Sequence, residues 1–211
     1  MGKKCFCITV ILILVSLKSF SQKVELSEQE AISLKKSIIN TSNLTTSIVN
    51  DFTQYKHLSF LSKDIISHGK LFFKDPNLIK WEYNTPFKYS VIFKDNHLFI
   101  NDGGTKSNID LSANRVFKEL NTLIVKSVKG DMFDENQFKI SYFKLAQNYL
   151  ISFTSLDPYL KLIIRKFELV FESKTFNVLE IKMIESSEDY TSIKFSNQKI
   201  NEPVSDAVFI N

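Results

Sequence analysis

From Ser47 onward the apolar residues of this chain recur with a period of two, and the helical stretches beside them are too few to cover both faces of the sheet such a pattern builds. Ile79, Trp81 and Tyr83 alternate with Leu78, Lys80 and Glu82, which puts the aromatic and branched side chains on one face and both charges on the other. Phe87, Tyr89, Val91 and Phe93 repeat the alternation against Lys88, Ser90, Ile92 and Lys94. The connections Lys74–Asn77, Asn84–Pro86, Asp95-Asn96 and Asn101–Gly104 are short and rich in turn formers, as in a meander of antiparallel hairpins. Gly69 interrupts a strand pattern and points to a bulge or sharp bend, the device that lets a sheet curve.

Further strand segments are expected around 137–143, 149–154, 166–172, 177–185 and 190–196, giving ten or eleven in all, with a short helical piece at 157–163. Ser27-Glu28-Gln29-Glu30 fits a capping box, and Ala31, Leu34, Ile38 and Ile39 follow at helical spacing up to a polar break at Asn40–Asn43. A second helix is expected in 112–128, with Ser112 as N-cap and Val116, Phe117, Leu120, Leu123 and Ile124 on one side. A large antiparallel sheet with so few helices buries its apolar face by curling around them. The expected fold is therefore mainly β (α+β), a curled antiparallel sheet forming an incomplete β-barrel with helices over the concave apolar face. Runs such as Leu71-Phe72-Phe73, Val91-Ile92-Phe93, Leu98-Phe99-Ile100 and Leu169-Val170-Phe171 offer apolar side chains to both faces, so a two-sheet sandwich stands as the alternative.

Lys3 and Lys4 precede an apolar run from Ile8 to Leu17, with Ser19-Phe20-Ser21 at the cleavage positions, the pattern of a secretory signal peptide. The run falls well short of the roughly 20 residues needed to span a bilayer. The expected organisation is a cleaved signal peptide at 1–21 and a single domain at 22–211, with no linker or internal repeat dividing it. Cys5 and Cys7 both precede the apolar run, so no cysteine stands where a lipid anchor would be attached, and the expected product is secreted and soluble. Removing 1–21 takes away Lys3, Lys4 and Lys18 and no acid, leaving 24 basic against 23 acidic residues. A near-neutral chain gives no footprint for nucleic acid.

Several spaced motifs resemble the outer-membrane lipoprotein carrier family (LolA): Phe52-Thr53-Gln54, the block from Gly69 through Leu71-Phe72, Lys74, Pro76 and Ile79 to Trp81, then Thr85-Pro86-Phe87, and a closing Asp206-Ala207-Val208-Phe209 read as a last strand. The resemblance implies a periplasmic chaperone that holds the acyl chains of lipoproteins in an apolar cavity and shuttles them from the inner to the outer membrane. Its partners would be acylated lipoproteins, an inner-membrane lipoprotein-release transporter and an outer-membrane acceptor, met as a monomer. On this reading Phe52, Leu71, Phe73, Ile79, Trp81, Tyr83, Tyr89, Val91, Phe93 and Leu98 line the cavity, and Phe117, Leu120, Leu123 and Ile124 form a lid. Many members of the family carry an arginine before the turn proline that holds the lid shut. Here Asp75 stands in that position, the latch does not carry over, and Lys74 is read as a solvated turn lysine.

Each buried methylene contributes about 0.8 kcal/mol, so a 16-carbon chain gains on the order of 13 kcal/mol by leaving water, and a carrier must let go by moving its own cover. The chain lacks the nucleophile elbow, phosphate loop, zinc-protease motif and paired cysteines of common enzyme classes, and 131–136 lacks the glycine and final glutamate of a calcium loop. His57, His68 and His97 fall on separate segments. The expectation is binding, with no cofactor and no metal. The alternative keeps the fold and changes the cargo to another amphiphile, a glycolipid or polyene pigment precursor, or makes the chain a lipid-sensing domain.

Overall fold

A computed structural model describes residues 23–111 and 132–211. The expected signal peptide and the whole of the expected second helix lie outside those residues. Helix α1 (Glu28–Asn43) begins at the expected capping box: the Glu30 amide donates to Ser27 Oγ at 3.4 Å, and the Ser27 amide donates to Glu30 Oε2 at 2.9 Å. The polar residues Asn40–Asn43 do not break the helix but form its last turn. Their hydroxyls are absorbed locally, Ser42 donating to the Ile39 carbonyl at 2.8 Å and Thr45 to that of Thr41 at 2.9 Å, which leaves the backbone ladder intact.

Among the described residues twelve strands form one antiparallel sheet, where ten or eleven were expected. These are β1 (Lys23–Glu25), β2 (Ser47–His57), β3 (Ile65–Lys74), β4 (Leu78–Thr85), β5 (Tyr89–Lys94), β6 (His97–Asp102), β7 (Thr105–Asp110), β8 (Phe138–Leu145), β9 (Asn148–Ser155), β10 (Ile164–Phe171), β11 (Val178–Glu185) and β12 (Tyr190–Ile200). Their order is β1-β8-β9-β10-β11-β12-β2-β3-β4-β5-β6-β7, so the sheet has two free edges and is not a closed barrel. β1 gave no signal in the sequence because its three residues are exposed and hold their place by pairing with β8. The short helix α2 (Pro158–Lys161) starts where Asp157 Oδ1 accepts the amides of Tyr159 and Leu160.

The single sheet excludes the sandwich, and its curvature follows from its contacts. β4 and β10 are five strand spacings apart in the order, about 24 Å along a flat sheet. Yet Ile79 and Trp81 of β4 line the same small cavity as Phe171 of β10. Only a sheet rolled back on itself brings them together. Register shifts mark the bends, between Ser196 and Lys199 on β12 and between His68 and Gly69 on β3. At Gly69 the reason is steric. A Cβ there would stand 2.1 Å from the Glu82 carbonyl oxygen and 2.6 Å from the Phe52 ring, so the absent side chain is the space the Phe52 ring occupies. Phe52 in turn meets Trp81 and Tyr83 edge-on, with centroids 5.1 and 4.9 Å away.

Two apolar clusters fill the concave side. Leu34 and Ile38 of α1 pack with Ile151, Phe153, Phe167, Leu169 and Phe171 under the β8–β11 half. Phe52, Leu71, Phe73, Ile79, Trp81 and Leu98 pack under the β2–β6 half. The second apolar side chain in the doubled runs faces the other way. Val49, Phe72, Leu78, Ile92 and Phe99 form an outer cluster covered by Val204, Val208 and Phe209 of the C-terminal segment. That segment is not the expected last strand. Asp206–Phe209 is a 3-10 turn capped by Ser205, lying over the outer face instead of adding to an edge.

Lys74 is not a free turn lysine: its Nζ donates to Asp206 Oδ1 at 2.5 Å and so ties the β3–β4 turn to the C-terminal cover. That bond and the lysine charge hold the Asp206 carboxyl below its ordinary 3.8. A carboxylate whose folded value is depressed contributes above the unfolded value and loses that contribution as pH falls through the folded one. Amide-exchange protection of 204–209 is therefore expected to hold steady at neutral pH and to fall once the pH drops below 3.8, earlier than in the β2–β3 core. Asp206→Asn should remove that acid step from the segment.

Candidate functional site

The concave side retains a cavity of about 60 Å³ where the two apolar clusters meet. The β3–β4 hairpin supplies its floor through Leu71, Phe73, Ile79 and Trp81. The last turns of α1 roof it with Ile38, Thr41, Ser42 and Thr45, and Phe171, Val178, Ile181 and Phe195 form the far wall. Polar groups gather at one end, where Asn50, Asn177 and Gln198 enter the lining. Asn50 is 4% exposed and its Oδ1 meets no donor among the described residues, although Gln198 Nε2 is engaged by the Val178 carbonyl at 2.6 Å. A buried amide oxygen without a partner is costly and is satisfied by any ligand carrying an N–H or O–H beside an apolar chain.

The cavity is small. Cavities of about 150 Å³ accept benzene, so 60 Å³ holds no acyl chain until something moves. Phe176 is placed to be that something. It lines both this cavity and a groove of about 530 Å³ that runs beneath α1 past Leu26, Leu34, Lys144 and Tyr149. Its backbone sits at φ 57°, a left-handed conformation that a phenyl-bearing residue rarely adopts, and its ring stacks on Tyr149 with centroids 6.4 Å apart. The ring thus stands between the apolar cavity and a groove of mixed lining, where Val24, Leu26, Leu34 and Tyr149 alternate with Glu25, Glu30, Ser33, Ser37 and Lys144.

All ten residues expected to line the cavity fall in or against one cluster: Phe52, Leu71, Phe73, Ile79, Trp81, Tyr83, Phe93 and Leu98 are buried in it, and Tyr89 and Val91 pack on it. Four of them, Leu71, Phe73, Ile79 and Trp81, touch the open space. Tyr83 is committed to structure, since its hydroxyl donates to Gln54 Oε1 at 2.9 Å and its ring stacks on Tyr89 at 4.1 Å. Burial, with Tyr89 close by, pushes its acidity well above the usual tyrosine value and keeps the hydroxyl neutral. Phe117, Leu120, Leu123 and Ile124 lie outside the described residues. The wall from β10 to β12 was not foreseen, whereas a helical cover was, and the last turns of α1 supply it. Phe171 was read only within an apolar run offered to both faces and Ile181 only as part of a strand segment, and no local signal distinguishes Phe176.

The histidines are apart and engaged: His57 Nδ1 with Asp64 at 2.8 Å, His68 Nδ1 with the Thr53 hydroxyl at 3.1 Å, and His97 Nδ1 with the Asp95 carbonyl at 2.8 Å. Among the described residues no three His, Cys, Asp or Glu are grouped to hold a metal, and no helix is long and apolar enough to cross a membrane. The chemistry available in the cavity is burial of hydrocarbon with one polar anchoring point.

Solved structures with this fold are distant in sequence. MucB in its complex with MucA from Pseudomonas aeruginosa superposes with a TM-score of 0.52 at 11% identity, over 86% of this chain and 61% of that one. An uncharacterized conserved protein from Thermus thermophilus gives 0.53 at 8% identity, over 86% and 93%. A LolA superfamily protein from Nitrosomonas europaea gives 0.46 at 11%, over 86% and 97%. No curated protein matches the chain in sequence. The family profile described as outer membrane lipoprotein carrier protein LolA matches residues 43–210, from the end of α1 through the C-terminal cover, and the chain belongs to that family.

Proposed function

We propose that this chain is a periplasmic carrier that takes the acyl chains of lipoproteins between α1 and the curled sheet and moves them from the inner to the outer membrane. The observation that carries the reading is the apolar cavity over Leu71, Phe73, Ile79 and Trp81, with Phe176 lining both it and a larger groove. Swinging that ring aside joins about 60 Å³ to about 530 Å³, a space on the scale of a whole acyl chain. α1 presents just Leu34 and Ile38 as fully buried side chains, so the roof also has little apolar contact to give up. The carrier thus offsets part of the hydrocarbon gain by moving its own groups, which keeps release within reach.

On this reading residues 1–21 are removed on export, residues 22–211 act as one domain and as a monomer, and no catalysis is involved. Lipoprotein comes from an inner-membrane release transporter and goes to an outer-membrane acceptor. The Asn50 oxygen favours cargo with a donor beside its chain, a condition met by an amide-linked acyl group and also by the hydroxyls of a glycolipid. A carrier or sensor of another amphiphile is therefore the second reading.

Native mass spectrometry of protein purified from the periplasm of its own host tests both. Adducts of triacylated protein are the expected result, free glycolipid or pigment would transfer the proposal to the second reading, and a protein that never carries or takes up an acyl ligand would end both. Phe176→Gly relieves the left-handed backbone and removes the ring between cavity and groove together. It is expected to raise affinity for a fluorescent fatty acid by about tenfold, at a stability cost of no more than about 2 kcal/mol after loss of the ring contacts. Titration of the probe with the variant and the parent protein checks it.

A further inference from the structure

Three of the most exposed large apolar side chains stand at the same end of the sheet. Phe60, Phe87 and Leu162 are 77%, 75% and 72% exposed, on the β2–β3 loop, the β4–β5 turn and the β9–β10 connection. Strand register fixes their common end. His57, at the end of β2, pairs with Tyr190; His68 pairs with Thr85; and Ile164 pairs with Glu185, which closes the same side of the β11–β12 turn. Along the sheet the neighbouring tips are two and four strands apart, about 10 and 19 Å. Ile65, Ile66 and Tyr159 extend the apolar surface at 44%, 47% and 49% exposure. Ile32, Leu44 and Ile210 are also exposed but sit apart, on α1, at its C-cap and at the C-terminus.

The loops are braced to one another. The Ser59 amide donates to Asp189 Oδ1 at 2.7 Å, the Ser186 hydroxyl donates to the Leu162 carbonyl at 2.6 Å, and Arg165 pairs with Glu188. The β2–β3 and β9–β10 tips are therefore tied together through the β11–β12 turn, and the β4–β5 turn stands beside them in strand order. Beside each tip stands a lysine, Lys63 near Phe60, Lys88 next to Phe87 and Lys161 next to Leu162, and among the described residues none of the three is in an ion pair. The same loops also carry acids, each engaged locally: Asp64 with His57, Glu188 with Arg165, Asp157 at the cap of α2 and Asp189 with the Ser59 amide. The rim as a whole is therefore not positive, and the three lysines are point charges beside the apolar tips.

We propose that this rim docks the protein on a bilayer carrying anionic headgroups, with Phe60, Phe87 and Leu162 entering the interface and Lys63, Lys88 and Lys161 meeting phosphates. A protein partner would need three pockets matched to three separated points. A bilayer interface accepts apolar side chains at any spacing and supplies negative charge beside each one. The rim lies at the opposite end of the strands from the acyl cavity, which touches β2 at Ile48 and Asn50 and β3 at Leu71 and Phe73. Docking thus leaves the cavity untouched and stands apart from the carrier reading.

The test is sedimentation of the purified protein with vesicles of phosphatidylcholine alone and of phosphatidylcholine mixed equally with phosphatidylglycerol. Binding to the anionic vesicles that weakens as salt rises is expected. Replacing Lys63, Lys88 and Lys161 together by Gln should weaken it by about a hundredfold, each lysine contributing about fivefold. Phe60→Ser, Phe87→Ser and Leu162→Ser combined should abolish it, while uptake of a fluorescent fatty acid and the circular dichroism melt stay unchanged. No preference for anionic vesicles, or equal binding by the serine variant, would overturn the proposal. So would a dimer in analytical ultracentrifugation that the serine variant dissociates, since the rim would then cover a second copy. Fatty-acid uptake and vesicle binding are read separately: a protein that takes up no fatty acid but still binds anionic vesicles would sink the carrier reading and leave this one standing, and the reverse result would do the opposite.

Discussion

Gly69→Ala is expected to destabilise the protein by about 3 kcal/mol or more, the upper range for overpacking, because the first atom the new methyl meets is backbone. The contact at 2.1 Å is with the Glu82 carbonyl oxygen, which belongs to the β3–β4 ladder and cannot swing aside as a side chain would. The next contacts, at 2.6 and 2.8 Å, are with the Phe52 ring, itself wedged between Trp81 and Tyr83. Either the bulge moves or the ring does, and both disturb the concave cluster. At about 2–4 °C per kcal/mol for a chain of this size, the midpoint should fall by roughly 6–12 °C. Trp81 is the sole tryptophan, so its fluorescence reports the displacement of Phe52 directly. Gly103→Ala is the control: nothing lies within 4 Å of its Cβ, and the expected cost is the left-handed backbone alone, about 1 kcal/mol. Equal melting of the two variants would contradict the steric account of the bend.

Trp81→Ala should cost about 3–5 kcal/mol, the usual toll for removing a large aromatic from a packed interior. Trp81 is 5% exposed and holds the floor of the cavity between Phe52 and Phe195, whose ring centroids are 5.1 and 6.1 Å away. The vacated space adds to the existing cavity, so the structure cannot close over it without moving β4. A ligand that binds only the folded state stabilises in proportion to its occupancy. The carrier reading therefore expects a saturating fatty acid to recover more midpoint in Trp81→Ala than in the parent. Denaturant titrations with and without the fatty acid check this. A variant as stable as the parent would mean that the tryptophan is not part of the floor.

The period of two and the scarcity of helices determined a large antiparallel sheet and made curling the expected way to hide its apolar face, while the doubled apolar runs left a sandwich open until the single sheet excluded it. The alternation from Phe52 to Leu98 likewise determined which side chains share a face, since a strand offers its residues to two sides and no others. Ser27 and Glu30 marked the start of α1 for an equally local reason, the satisfaction of free amides within one turn.

What tertiary structure decided was the meeting of distant segments. The far wall of the cavity at Phe171 and Ile181, the ring of Phe176 beside it and the orphaned oxygen of Asn50 depend on how tightly the sheet rolls, which is a sum of small bends at Gly69 and along β12. The same holds for the outer face. Phe72, Ile92 and Phe99 announce that something apolar must cover them, but the cover is a C-terminal 3-10 turn held by Lys74 to Asp206, and a local pattern contains no term for an ion pair between residues so far apart.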